Sequence, residues 1–144
     1  MKKRILPLVV FLMITFGAKS FAQDRSYKDG TVWTMSFIRV NPGQDETYLN
    51  SLKTSWKAVQ DEAIKQGLVL SYKILDGNAS SPTDWNLVLM VEYKNLASME
   101  GNDEKWDAIQ NKFNTPEERK KLMESRVSVR TMYGQRLMRE VVYK

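Results

Sequence analysis

The chain has 144 residues, with 22 Lys or Arg against 17 Asp or Glu, and neither His nor Cys. That length suits one domain, and an apolar content of 42% is enough to build a core, which excludes wholesale disorder. The missing Cys excludes disulfides, zinc–thiolate sites, iron–sulfur clusters and thiol nucleophiles, and the missing His removes the commonest metal ligand and the usual neutral-pH base.

Residues 1–22 read as a secretory signal peptide. Met1-Lys2-Lys3-Arg4 is a basic head, Ile5 to Ala18 is an apolar run broken by Pro7 and Thr15, and Ser20-Phe21-Ala22 puts small residues before a cleavage point at Gln23. The run falls short of the ~20 residues that a membrane span needs, and no Cys follows it for lipid attachment. Cleavage leaves 18 basic and 17 acidic residues, a net charge of +1 rather than +5. The expected product is exported, periplasmic or secreted, free of the membrane, and without the basic excess that nucleic-acid binding requires.

Residues 23–30 read as a loose polar segment and 31–144 as the folded domain. Thr31 to Val40 alternates as a strand, with Trp33, Met35 and Phe37 expected on the core side and Thr34 and Ser36 opposite. Asn41-Pro42-Gly43 ends it. Leu49, Leu52, Trp56, Val59 and Ala63 step by three and four along one helical stripe, and Gly67 stands where a left-handed cap belongs. Leu68 to Leu75 and Trp85 to Tyr93 alternate as two further strands about a turn from Asp76 to Pro82, which predicts an antiparallel hairpin. Asn95 caps a short turn that Gly101 interrupts, and Trp106, Ile109 and Phe113 make another stripe. Thr115-Pro116-Glu117-Glu118 combines an N-cap, Pro at the first helical position and Glu at the third, opening a helix to about Val129. Thr131 to Tyr143 reads as a long strand with apolar groups on both sides.

The order β-α-β-β-α-β predicts an α+β domain, a four-stranded antiparallel sheet with helices on one face. The other face is expected to carry Thr34, Ser36, Ile38, Val69, Ser71, Lys73, Val88 and Met90 with part of the last strand. That surface is too apolar to stand bare, so a second copy pressed against it would close a barrel around a semi-polar cavity.

Val40-Asn41-Pro42-Gly43-Gln44 followed by Tyr48 and Leu49, and Tyr93-Lys94-Asn95-Leu96-Ala97-Ser98-Met99, resemble the two strand-to-helix openings of the dimeric α/β-barrel superfamily. With the element order, the resemblance spans Thr31 to Tyr143 and implies a ferredoxin-like βαββαβ subunit in a homodimer. The group includes antibiotic-biosynthesis-type monooxygenases and haem-degrading enzymes. Many catalytic members carry a His just after the second opening. Here Gly101-Asn102-Asp103 stands instead, which excludes His-ligated haem. No cofactor is implied.

For chemistry, Glu92 and Lys73 on the expected cavity face form a candidate acid–base pair, with Asn86 as a third catalytic candidate. Ser36, Ser71, Tyr72, Met90 and Arg136 are the candidate ligand-binding residues, and the competing reading of the charged pair is a cross-strand salt bridge. The four Trp residues are assigned to core packing. Adjacent carboxylates such as Asp45-Glu46 point apart on a helix, so no metal site is expected. Three readings follow: an exported homodimer that binds a small, partly apolar molecule in its barrel, a cofactor-independent monooxygenase or isomerase-like enzyme, and a structural dimer whose barrel is filled.

Overall fold

The computed structural model describes residues 25–144, and the signal-peptide reading of residues 1–22 lies outside them. Strand β1 (Tyr27–Val40) leads into α1 (Asp45–Leu52), a π-helical turn (Lys53–Lys57) and α2 (Ala58–Lys65). Strands β2 (Ser71–Asp76) and β3 (Leu87–Tyr93) follow, then a 3-10 turn (Ala97–Met99), α3 (Asp103–Phe113), α4 (Pro116–Val129) and β4 (Arg130–Tyr143). The sheet order is β2-β3-β1-β4 with every neighbouring pair antiparallel, which makes the domain ferredoxin-like.

Local chemistry accounts for the boundaries. Gly43 and Gly67 adopt φ of 75° and 70° at the start and end of the first helical run, a region that glycine enters without a Cβ penalty. Asn95 Oδ1 accepts from the Ser98 amide at 2.8 Å to hold the 3-10 turn. Thr115 and Glu118 form a reciprocal capping box at the head of α4. β1 starts at Tyr27, ahead of the expected Thr31, because Tyr27 and Asp29 pair with Tyr143 and Val141 of the equally long β4.

Register fixes the two faces, since residues directly opposite in an antiparallel pair share a side. Ile38 faces Leu87, Ser36 faces Leu89 and Thr34 faces Val91, while Ile74 and Tyr72 continue the row across β2. One core cluster joins Ile38, Val40, Leu87 and Leu89 to Tyr48 and Leu52 of α1, so this row lies under the helices. A second joins Ala63 of α2, Leu68, Val69, Val91 and Ile109 of α3. Trp33, Met35 and Phe37 stand on the opposite face with Val88, Met90 and Glu92.

The β1 assignment in the sequence reading is therefore inverted. Ile38, expected on the bare face, is fully enclosed beneath the helices, and Thr34 and Ser36 lie on that same side. Both sides of β1 are apolar enough to bury, and bulk favoured the wrong one. The helices sit on a floor of compact residues, and a one-residue change of parity moves every side chain across the sheet. Val69 is likewise in the helix-side core, whereas Ser71, Lys73, Val88 and Met90 lie on the bare face as expected.

The helical stripe also shifts. Tyr48, Leu52, Ser55, Gln60 and Ala63 are the buried positions, whereas Leu49 is exposed and Trp56 and Val59 are half-buried. The π-turn at Lys53–Lys57 is the cause, because its wider winding rotates the residues after it relative to a straight 3.6-residue repeat.

Candidate functional site

The wide turn brings polar groups into a place where the stripe alone would put hydrocarbon. Ser55, at 6% exposure, and Gln60, at 7%, are the buried polar residues among those described. Both border a crevice of about 290 Å³ between the first helical run, α3 and α4. Trp56, Val59, Trp106, Leu122 and Met123 supply its apolar walls, and Gln110, Asn114, Arg119 and Arg126 its polar ones. A second cavity of about 250 Å³ lies between the first helical run, α3 and the sheet, floored by Thr34, Ser36, Leu89, Val91, Tyr93 and Gln135. Trp56, Gln60 and Trp106 border both, so they form the partition between the helical crevice and the sheet.

Each polar wall has an identifiable support. Arg126 Nη2 donates to Ser55 Oγ at 2.6 Å, and that hydroxyl donates onward to the Ser51 carbonyl at 2.5 Å. Arg119 Nη1 donates to Asn111 Oδ1 at 2.8 Å and to the Asn114 carbonyl at 2.9 Å. Gln135 Nε2 donates to Ser36 Oγ at 3.2 Å across β4 and β1. Gln60 Oε1 and Arg126 Nε are enclosed with no hydrogen-bond partner among the described residues, and a buried polar atom in that state costs about 1–3 kcal/mol. Burial draws the Arg126 guanidinium below its ordinary range, and repulsion from Arg130 acts the same way against an opposing pull from Tyr48. Burial pushes the Tyr93 phenol up, partly offset by its hydrogen bond with Thr34.

The residues singled out from sequence do not meet in one place. Glu92, Lys73, Ser71, Met90 and Arg136 share the bare face of the sheet. Within that group Ser71 Oγ donates to Glu92 Oε2 at 2.5 Å, while Lys73 stands opposite Met90 and holds its Nζ 5.2 Å from the centre of the Trp33 ring. Lys73 and Glu92 form no ion pair, so the expected acid–base pair separates into a hydroxyl–carboxylate contact and a cation–π contact. Arg136 lies opposite Met35 and donates to the Gln135 carbonyl at 3.3 Å.

Asn86 binds backbone. Its Oδ1 accepts from the Val40 amide at 2.8 Å and its Nδ2 donates to the Val40 carbonyl at 3.4 Å, which ties the entry of β3 to the end of β1. Tyr72 is on the helix side, where its hydroxyl donates to Asp61 at 2.7 Å. Ser36 is the one member of the set that borders the sheet-side cavity.

Of the four Trp residues assigned to core packing, Trp56 and Trp106 pack against the core clusters and also line the crevice. Trp33 and Trp85 do not join the core: Trp33 stands on the bare face, and Trp85 is exposed with its ring 5.2 Å from that of Phe37. Gln60, Gln110, Arg119 and Arg126 were missed in the sequence. The available signal was polar residues falling on buried stripes, Ser55 and Gln60 between Leu52 and Ala63, and the seven-residue spacing that sets Arg119 and Arg126 on one side of α4.

Among the described residues no group of three or more Asp or Glu side chains is placed to hold a metal ion, and no helix is long and apolar enough to cross a membrane. No family model matches the chain, and no curated protein matches it. Two crystal structures from an uncultured marine organism, each described as a dimeric ferredoxin-like protein, are similar to it. One is 14% identical over 81% of this chain and 90% of its own, with a TM-score of 0.45. The other is 16% identical over 80% of this chain and 96% of its own, with a TM-score of 0.47.

Proposed function

We propose that this is an exported homodimer, each copy of which binds a small, partly apolar molecule on the helix side of its sheet, in the crevice walled by Trp56 and Trp106. The observation that carries the reading is the partition of Trp56, Gln60 and Trp106, bordered by cavities on both sides and containing an enclosed amide oxygen with no partner. The helical crevice has mostly apolar walls with a few placed polar groups, the usual make-up of a small-molecule site, whereas the sheet-side cavity is the more polar of the two. This moves the expected ligand from between two sheets to the helix side, because Ser36 and Thr34 point there and Trp33, Met35 and Phe37 occupy the bare face.

The bare face supports the homodimer. Trp33, Met35, Phe37, Met90 and Met138 adjoin one another across three strands, and an uncovered apolar surface of that kind on a small domain favours a self-complementary two-fold contact. Export rests on the basic, apolar and small-residue sequence of residues 1–22.

The test of the binding reading is calorimetric titration of the purified protein with naphthalene-2-carboxamide, a neutral fused-ring probe. We expect saturable binding that Trp106→Ala abolishes while the far-ultraviolet circular dichroism is retained. Absence of saturable heat, or binding that Trp106→Ala leaves unchanged, would overturn it.

A further inference from the structure

The helical crevice has a charge that nothing in the fold answers. Arg119 and Arg126 both border it, and no Asp or Glu is among its lining side chains. Among the described residues neither arginine forms an ion pair. Their partners are neutral: an Asn side chain and a carbonyl for Arg119, a hydroxyl for Arg126. Arg130, one turn beyond Arg126, lies 5.5 Å from the centre of the Tyr48 ring and also keeps an enclosed Nε without a partner. Glu124 is exposed on α4 and borders a separate hollow with Arg126 and Arg130, yet forms an ion pair with neither.

A guanidinium is held out of water at a cost unless an anion or a full set of acceptors replaces the lost hydration. Surface arginines avoid that cost by extending into solvent. Arg126 instead turns inward, fixed through Ser55 to the π-turn, on the same crevice that presents two indole rings.

We infer that the molecule bound in this crevice is an anion, a carboxylate carried on a flat apolar body, with the acid group held by Arg126 and Arg119 and the body against Trp56 and Trp106. The inference rests on the binding reading above and adds the ligand's charge to it. Arg is suited to the task because its planar fork matches the two oxygens of a carboxylate. The apolar walls contributed by Val59, Leu122 and Met123 match the flat body, which a free inorganic anion lacks.

The experiment compares naphthalene-2-carboxylate with naphthalene-2-carboxamide, which share a ring system and differ in charge, by calorimetric titration of the unmodified protein. The carboxylate is expected to bind at least about tenfold more tightly, as a charge-assisted contact should. That preference should shrink as salt is raised. In Arg126→Gln the ratio of the two affinities should fall towards one, and Arg119→Gln should lower it in part. Equal affinity of the two probes for the unmodified protein would overturn the inference and leave the binding reading standing. Failure of both probes to bind would remove both. The wild-type comparison needs no variant to fold, so loss of the Ser55 contact in Arg126→Gln cannot obscure the result.

Discussion

At the scale of single residues, Asp61 joins the helical layer to the sheet. Its carboxylate accepts from Lys57 Nζ at 2.6 Å and from the Tyr72 hydroxyl at 2.7 Å, linking α2 to β2. The hydrogen bond from Lys57, followed by that from Tyr72, holds the Asp61 carboxyl below its ordinary value of 3.8. A folded-state value below the unfolded one means that the charged form stabilises the fold above the unfolded value, and that this contribution is lost as pH falls through the folded one. Asp61→Asn keeps an acceptor for Tyr72 but removes the titration. In urea denaturation the wild-type protein should therefore exceed Asp61→Asn in midpoint at neutral pH, with the gap closing as the pH falls below 3.8 and through the lower folded-state value. A gap that stays constant across that range would assign the difference to something other than this charge.

The same scale explains why the candidate site was only partly legible. Glu92, Lys73 and Asn86 were chosen by residue type and by shared strand parity, and parity does place Glu92 and Lys73 on one face. It says nothing about partners: Ser71 claims Glu92, Trp33 claims Lys73, and Asn86 is spent on the backbone of Val40. Arg126 was invisible for a different reason. Its inward direction depends on Ser55, 71 positions earlier, which reaches it only through the π-turn.

Among the elements, the departures from regular geometry decide where side chains go. β4 carries an extra residue where its pairing with β1 shifts between Phe37 and Ile38, so that Gly134 faces Phe37 and Met132 faces Ile38. The bulge leaves Tyr133 free to donate its hydroxyl to the Pro82 carbonyl at 3.2 Å, tying β4 to the β2–β3 loop. Gly134 has φ of 151°, and a Cβ there would meet nothing within 4 Å, so the requirement for glycine is one of backbone angle alone. Gly134→Ala should cost about 1–3 kcal/mol in chemical denaturation without a steric clash. A neutral substitution would mean that the bulge relaxes at no cost. Element order, caps and the capping box were readable because each is a local signal. The π-turn and the bulge were not, since neither has a distinctive residue pattern and both are settled by tertiary packing.

For the whole molecule, the inverted parity of β1 has the largest consequence. With Trp33, Met35 and Phe37 turned away from the helices, the bare sheet face is more apolar than the alternation of Thr34 and Ser36 implied. A homodimer through that face should have a sedimentation mass twice that of the chain, and Phe37→Glu should reduce it to the monomer mass with secondary structure retained. A monomer at high concentration in the wild-type protein would contradict the dimer while leaving the crevice intact, because the two lie on opposite sides of the sheet. Fold class followed from periodicity, since the pattern of β-α-β-β-α-β admits few arrangements. The site did not, because it is assembled from three separate helices and three strands.

The location of the ligand is the claim on which the rest depends, and the four Trp residues report on it directly. Trp56 and Trp106 line the helical crevice, whereas Trp33 and Trp85 belong to the other side of the sheet. Indole N–H resonances of the nitrogen-15-labelled protein, assigned by single Trp→Phe variants, should be followed during titration with naphthalene-2-carboxylate. Progressive shifts of Trp56 and Trp106, with Trp33 and Trp85 unmoved, are the result expected. Shifts confined to Trp33 and Trp85, or no shift at any of the four, would contradict a binding site on the helix side of the sheet.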